Sequence, residues 1–215
     1  MKTKITISSH INFYKKTYPI LVDSLLNAGV PSEDIYFFIG GCDSYEKVDG
    51  DVNVWKVDHN SIDFTGLISV LDLDIKSDRW FLLHDTVYVG KNFYKCIQDK
   101  KSEHDTIDMS LLWPKNMGSY SQDYLLQIKS ILLNEYKNKD NSINAAQKFK
   151  TFNVDTENRF LKNKDFYTTD IPTIILNNVD FYDSNNMRSV QYYKNIDIYK
   201  VQACNNFPGN YNIKL

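Results

Sequence analysis

The sequence predicts an α/β domain built on a mixed, mainly parallel β-sheet flanked by helices. Three observations carry that expectation. A strand, a helix and a second strand follow one another before Gly41, a connection suited to a right-handed parallel crossover rather than a hairpin. The stretch Trp80-Phe81-Leu82-Leu83-His84-Asp85 is apolar without alternation and ends on two ionisable residues, as a central strand covered on both faces does. Apolar residues recur at i, i+3, i+4 and i+7 over Gln122–Tyr136, the signature of a partly buried helix.

The elements follow in order. Lys4–Ser9 sets Ile5 and Ile7 on one face and reads as the first strand. Pro19–Ala28 is expected as a helix, with Pro19 in its first turn, Leu21, Leu25 and Ala28 on one face, and Gly29 just past its end. Pro31–Asp34 turns the chain into the apolar strand Ile35–Gly41. Val52–Val57 alternates and is the third strand, and a short helix over Thr65–Leu73 leads to the strand Trp80–Asp85. A helix over Asn92–Asp99, a strand over Thr106–Trp113 and the helix Gln122–Tyr136 come next. Lys137–Asn144 is polar and reads as a loop. Helices around Ala145–Phe149 and Asp155–Leu161 and strands at Thr173–Leu176 and Ser189–Tyr193 complete the chain. With no repeat and no linker, one domain spanning 1–215 is expected, parallel over 1–115 and more irregular over 116–215.

A chain of 215 residues buries roughly 70% of its unfolded surface, so it needs no disulfide or metal to fold. Its net charge of -2 is spread without a basic stripe, which argues against a nucleic-acid partner. Cys42, Cys96 and Cys204 are odd in number and form no C-x-x-C; they read as reduced thiols of a cytoplasmic protein. No apolar h-region follows the amino-terminal lysines, so no signal peptide is expected there. No apolar run reaches the ~20 residues of a membrane span. Aromatic residues, 14% of the chain, are expected mainly in the core, with a minority stacking on sugars or bases.

Chemistry gathers at the ends of the predicted strands: Ser8-Ser9-His10, Gly40-Gly41, Asp58-His59-Asn60 and His84-Asp85-Thr86. Open parallel sheets bind ligands beyond the carboxyl ends of their strands, and a polar rim over an apolar sheet suits a polar ligand. G-x-G-x-x-G, the P-loop pattern and G-x-S-x-G are all absent, which removes support for dinucleotide oxidoreductases, P-loop NTPases and α/β-hydrolases. Gly40-Gly41 reads equally as a turn device and as a place where a ligand nears the backbone.

A strand, an amphipathic helix closing on Ala28-Gly29-Val30-Pro31, an apolar strand ending in Gly40-Gly41, and a later apolar strand running into an acidic motif resemble the GT-A-fold glycosyltransferases. The resemblance spans Lys2 to Trp113 and is one of layout. It implies a GT-A-like, Rossmann-like domain. It further implies a nucleotide diphosphate sugar as donor, a glycan or other hydroxyl as acceptor, and a divalent ion, Mn²⁺ or Mg²⁺, expected to bridge the donor phosphates as in that family. The family's Asp-x-Asp has His84-Asp85-Thr86 in its place here, with no second Asp.

On this resemblance, Asp85 and His84 hold the metal, and Thr86 orients Asp85. Ser8, Ser9, His10, Gly40, Gly41 and Asp58 line the donor, with His10 and His59 as contacts to base or ribose. Arg188 and Lys200 help neutralise the diphosphate. Asp155 or Glu157 is the base of an inverting reaction, although Asp155 is equally placed to cap a helix. Trp113 and Tyr120 frame the acceptor pocket with Gly118 as a hinge, Ser121 or Ser119 caps the next helix, and Tyr192, Tyr193 and Tyr199 offer a flat wall to a sugar. Two other readings stay open. A glycosyltransferase-like binding domain without catalysis is favoured by the missing second Asp. A nucleotidyltransferase is disfavoured because Ser8–Pro19 contains no glycine.

Overall fold

The computed structural model describes residues 1–112, 116–140, 165–175 and 189–202. In chain order the elements are β1 (Thr3–His10), α1 (Tyr14–Asn27), β2 (Ile35–Gly40), β3 (Glu46–Val48), β4 (Asn53–Lys56), α2 (Thr65–Asp72), β5 (Arg79–His84), β6 (Val87–Val89) and α3 (Phe93–Asp99). They continue with β7 (Thr106–Ser110), β8 (Gly118–Ser121), α4 (Gln122–Gln127), α5 (Lys129–Ile131), β9 (Phe166–Thr168), β10 (Thr173–Ile175), β11 (Ser189–Tyr193) and β12 (Ile198–Gln202). Eight strands form one sheet in the order β3-β4-β2-β1-β5-β8-β7-β9. Its centre, β4-β2-β1-β5, is parallel, while β3 and β8 run antiparallel to their neighbours. A second, antiparallel sheet has the order β10-β11-β12-β6. The α/β class and the mixed, largely parallel sheet are therefore as expected.

Strand β5 explains its own lack of alternation. Successive side chains leave opposite faces of a strand. Phe81 and Leu83 join Leu21 and Leu25 of α1 and Phe93 of α3 in one core. Trp80 and Leu82 join Leu67 and Leu71 of α2 and Leu125 of α4 in the other. All four β5 residues are fully buried, each contributing roughly 1.5–3 kcal/mol of apolar transfer. Val87, Val89 and Ile198 enter the first core and so fasten the small sheet to the large one.

Several elements depart from expectation. Helix α1 begins at Tyr14, so Pro19 lies inside it. Pro19 and Lys15 are both exposed, which leaves the carbonyl that loses its partner on the wet side of the helix. The early start brings Thr17 into the first turn, over the ends of β1 and β5. The stretch expected to frame an acceptor pocket around a Gly118 hinge contains β8 instead. Gly118 is no hinge there: an added Cβ would lie 2.3 Å from the Ile107 carbonyl oxygen, so its lack of a side chain lets β7 and β8 pair. Tyr120 does not face an acceptor pocket; it is buried in the core that holds Trp80.

Ser121 caps α4 as expected, accepting from the Tyr124 amide at 3.2 Å. The helix expected over Gln122–Tyr136 is divided into α4, α5 and a π-helical turn over Leu132–Tyr136. Leu125, Ile128, Leu132 and Tyr136 nonetheless keep one buried face. Lys137–Asp140 carries no regular structure. The helices expected at Ala145–Phe149 and Asp155–Leu161 lie outside the described residues, as do Trp113, Asp155, Glu157, Arg188 and Cys204. Cys42 and Cys96 are free thiols. Among the described residues, no helix is long and apolar enough to cross a membrane.

Candidate functional site at the carboxyl edge of the parallel strands

The ends of β1 and β5 lie side by side, with Ser8 opposite His84 in the register. From here adjacent residues diverge to the two faces of the sheet. Ser9 and Asp85 serve the α1 face. The Ser9 hydroxyl donates to Asp85 Oδ2 at 2.6 Å, and the Thr17 hydroxyl of α1 donates to the same oxygen at 2.9 Å. Lys200 of β12 is buried alongside and donates to the Thr86 hydroxyl. The Thr86 carbonyl accepts from the Val201 amide at 3.0 Å. Burial pushes the Asp85 carboxyl above the usual carboxylate range, against the two hydroxyls and the Lys200 charge, which favour its ionised form.

Ser8 and His84 serve the α2 face. Ser8 Oγ donates to the Asp63 carbonyl at 2.7 Å and accepts from the Gly66 amide at 2.8 Å, tying the start of α2 to β1. His84 Nε2 lies 3.5 Å from Asp63 Oδ1, and Asn116 Nδ2 donates to Asp63 Oδ2 at 3.1 Å. Asp63 keeps 23% of its side chain exposed at the sheet edge, whereas the His84 Nε2 that faces it is buried. Ile62 and Asn116, which set Asp63 and its partner, have φ of 50° and 55°. A left-handed backbone on a β-branched residue costs roughly 1–2 kcal/mol, and Ile62 is only partly buried.

The rest of the rim is mostly packed. An added Cβ at Gly40 would lie 2.8 Å from the His59 carbonyl oxygen, and one at Gly41 2.5 Å from His10 Nε2, at a φ of 81°. The glycine pair thus admits the His10 ring and the chain after β4, and this packing alone accounts for it. Burial lowers the pKa of His10, whose Nδ1 accepts from the Asn12 amide at 3.2 Å. Asp58 faces Lys139 at 3.3 Å and Lys137 at 3.6 Å. His59 is fully buried between Ser61 at 2.9 Å and Ser69 at 3.2 Å. Because the Ser69 hydroxyl donates to the Thr65 carbonyl, His59 Nε2 carries the proton and Nδ1 accepts from Ser61. Burial first, and the nearby Lys137 charge second, lower its pKa to about 4.

The expected pairing of His84 and Asp85 about one ion does not fit this arrangement. One turns to Asp63 on the α2 face and the other to Thr17 on the α1 face. A single Asp85 oxygen already accepts two hydroxyls, and an ammonium group adjoins. Among the described residues no group of three or more His, Cys, Asp or Glu side chains converges on one point. The expected sugar wall is altered as well. Tyr193 is buried in the first core, and Tyr192 and Tyr199 stack on each other with centroids 4.2 Å apart. Sequence reasoning missed Thr17, Asp63 and Asn116. Taking Pro19 as a helix start concealed Thr17, whereas Asp63 and Asn116 belong to no recognisable motif. The chain matches no known family and no curated protein sequence.

Proposed function

We propose that this chain is a glycosyltransferase that moves a sugar from a nucleotide diphosphate sugar to an acceptor hydroxyl, on a glycan or another alcohol. One observation supports it above the rest: parallel strands β1 and β5 end together and carry Ser8, Ser9, His84, Asp85 and Thr86 to one edge, where open α/β sheets bind their ligands. The acceptor oxygen attacks the anomeric carbon, the bond from that carbon to the diphosphate breaks, the electron pair leaves with the diphosphate, and the hydroxyl proton passes to that diphosphate or to solvent. Stabilising that leaving charge is the largest demand on the protein. Lys200 supplies a cation at the edge, and Asp85, held by Ser9 and Thr17, fixes the bend where Thr86 and Lys200 meet.

The test is release of nucleoside diphosphate from a panel of UDP- and GDP-sugars, run in parallel with Mn²⁺ and with EDTA so that any metal requirement is read directly. Slow release from at least one donor is expected. Binding of UDP or GDP without release under either condition would instead identify a sugar-nucleotide-binding domain, and neither binding nor release would end the reading. Release of pyrophosphate from a nucleoside triphosphate would point to a nucleotidyltransferase.

A further inference from the structure

We infer that Asp63, His84 and Asn116 form a subsite for two neighbouring hydroxyls of a sugar ring, on the α2 face of the sheet edge and separate from Asp85. The inference rests on the transferase reading for its class of ligand; its geometry stands independently. Three chain segments supply the group: the turn before α2, the end of β5, and the approach to β8. A carboxylate is an acceptor only, with two oxygens set in one plane, so two adjacent hydroxyls can each donate to one of them.

Three neighbours hold Asp63. Asn116 donates to Oδ2 at 3.1 Å, His84 Nε2 stands 3.5 Å from Oδ1, and Ser8 anchors the Asp63 carbonyl. The His84 distance is long for a direct hydrogen bond, which leaves Oδ1 lone-pair capacity for a hydroxyl. The left-handed backbone of Ile62 and of Asn116 flanks this one carboxylate. Asp63 keeps 23% of its side chain exposed, so its carboxylate is open to a ligand from solvent. Asp85, by contrast, already accepts two hydroxyls of the protein itself, and the packing accounts for its partners without a ligand.

Two sources carry adjacent hydroxyls: the ribose of a nucleotide and a pyranose. Saturation-transfer NMR on the full chain distinguishes them, with UDP against its 2′-deoxy form in one arm and D-glucose against 2-deoxyglucose in the other. The expected result is transfer to the diol member of one arm, at least tenfold weaker for its deoxy partner. The same loss is expected in Asp63→Asn, whose amide replaces one acceptor oxygen with a donor while keeping the shape. His84→Gln serves as a second variant, and unchanged thermal unfolding of each shows that the fold persists. Equal transfer in wild type and Asp63→Asn, or no diol transfer to wild type, would overturn the inference. Diol binding without any release of nucleoside diphosphate would leave the subsite standing and remove the transferase reading.

Discussion

The two faces of the same strand end are packed differently. On the α1 face a carboxylate is enclosed, its oxygen taken by Ser9 and Thr17 and its neighbour Lys200 buried. On the α2 face a carboxylate stands partly open beside a histidine and an amide. The difference arises from one physical fact, the alternation of side chains along a strand, acting on Ser8-Ser9 and His84-Asp85 together. Two residues that read as one motif in the sequence therefore face opposite sides of the sheet.

Stability measurements sharpen the contrast, because the faces respond to pH with opposite signs. On the α2 side His59 is neutral in the fold, with its pKa lowered from 6.5 to about 4. The unfolded chain binds the extra proton between those values, so stability is complete above the ordinary histidine range and is lost as pH falls toward 4. The loss amounts to on the order of 3 kcal/mol. Urea titrations at stepped pH should show this slope in the wild type and its absence in His59→Asn. Retention of the full slope in that variant would contradict the neutral, buried imidazole.

On the α1 side the sign reverses. Asp85 is held above the ordinary carboxylate range, so the folded protein keeps its proton longer than the unfolded chain does. Its contribution is present below that ordinary range and declines as pH rises through the raised value. Asp85→Asn should therefore remove the decline and match or exceed wild-type stability at neutral pH. Asp85→Ala strands the Ser9 and Thr17 hydroxyls and should cost about 1–3 kcal/mol in denaturant unfolding. An alanine variant as stable as wild type would show that this carboxylate does not tie α1 to the sheet.

The rim between the faces gives a smaller effect. Gly41→Ala meets both a left-handed φ and the His10 ring, and should lose about 1–2 kcal/mol, seen as a fall of a few degrees in Tm. Asp63→Asn, on the open side, should change stability by no more than about 0.5 kcal/mol. A large stability loss there would mean that the α2-face carboxylate is a structural tie like its neighbour.

How much of this was legible follows from what sequence patterns encode. The run Trp80–Leu83 announces a strand buried on both faces because nothing polar interrupts it, and the structure buries all four residues. Gly118-Ser119-Tyr120-Ser121 is too short and too rich in small polar residues to announce a strand, yet it fills the place between β5 and β7. Pro19 misleads because a proline inside a helix is tolerable where the orphaned carbonyl faces water. The polar strand ends were visible as a group, but the partners that divide them were not. Thr17, Asp63 and Asn116 reach the edge only through the path of α1, the turn before α2 and the placement of β8.

The most direct measurement is release of nucleoside diphosphate from the nucleotide sugar that best stabilises the folded chain, compared between wild type and Asp63→Asn. Release by the wild type is expected, with a drop of roughly 10- to 100-fold in kcat/KM for the variant, the scale of a charged hydrogen bond lost at unchanged stability. Equal rates in the two proteins, or no release from any donor, would contradict that expectation.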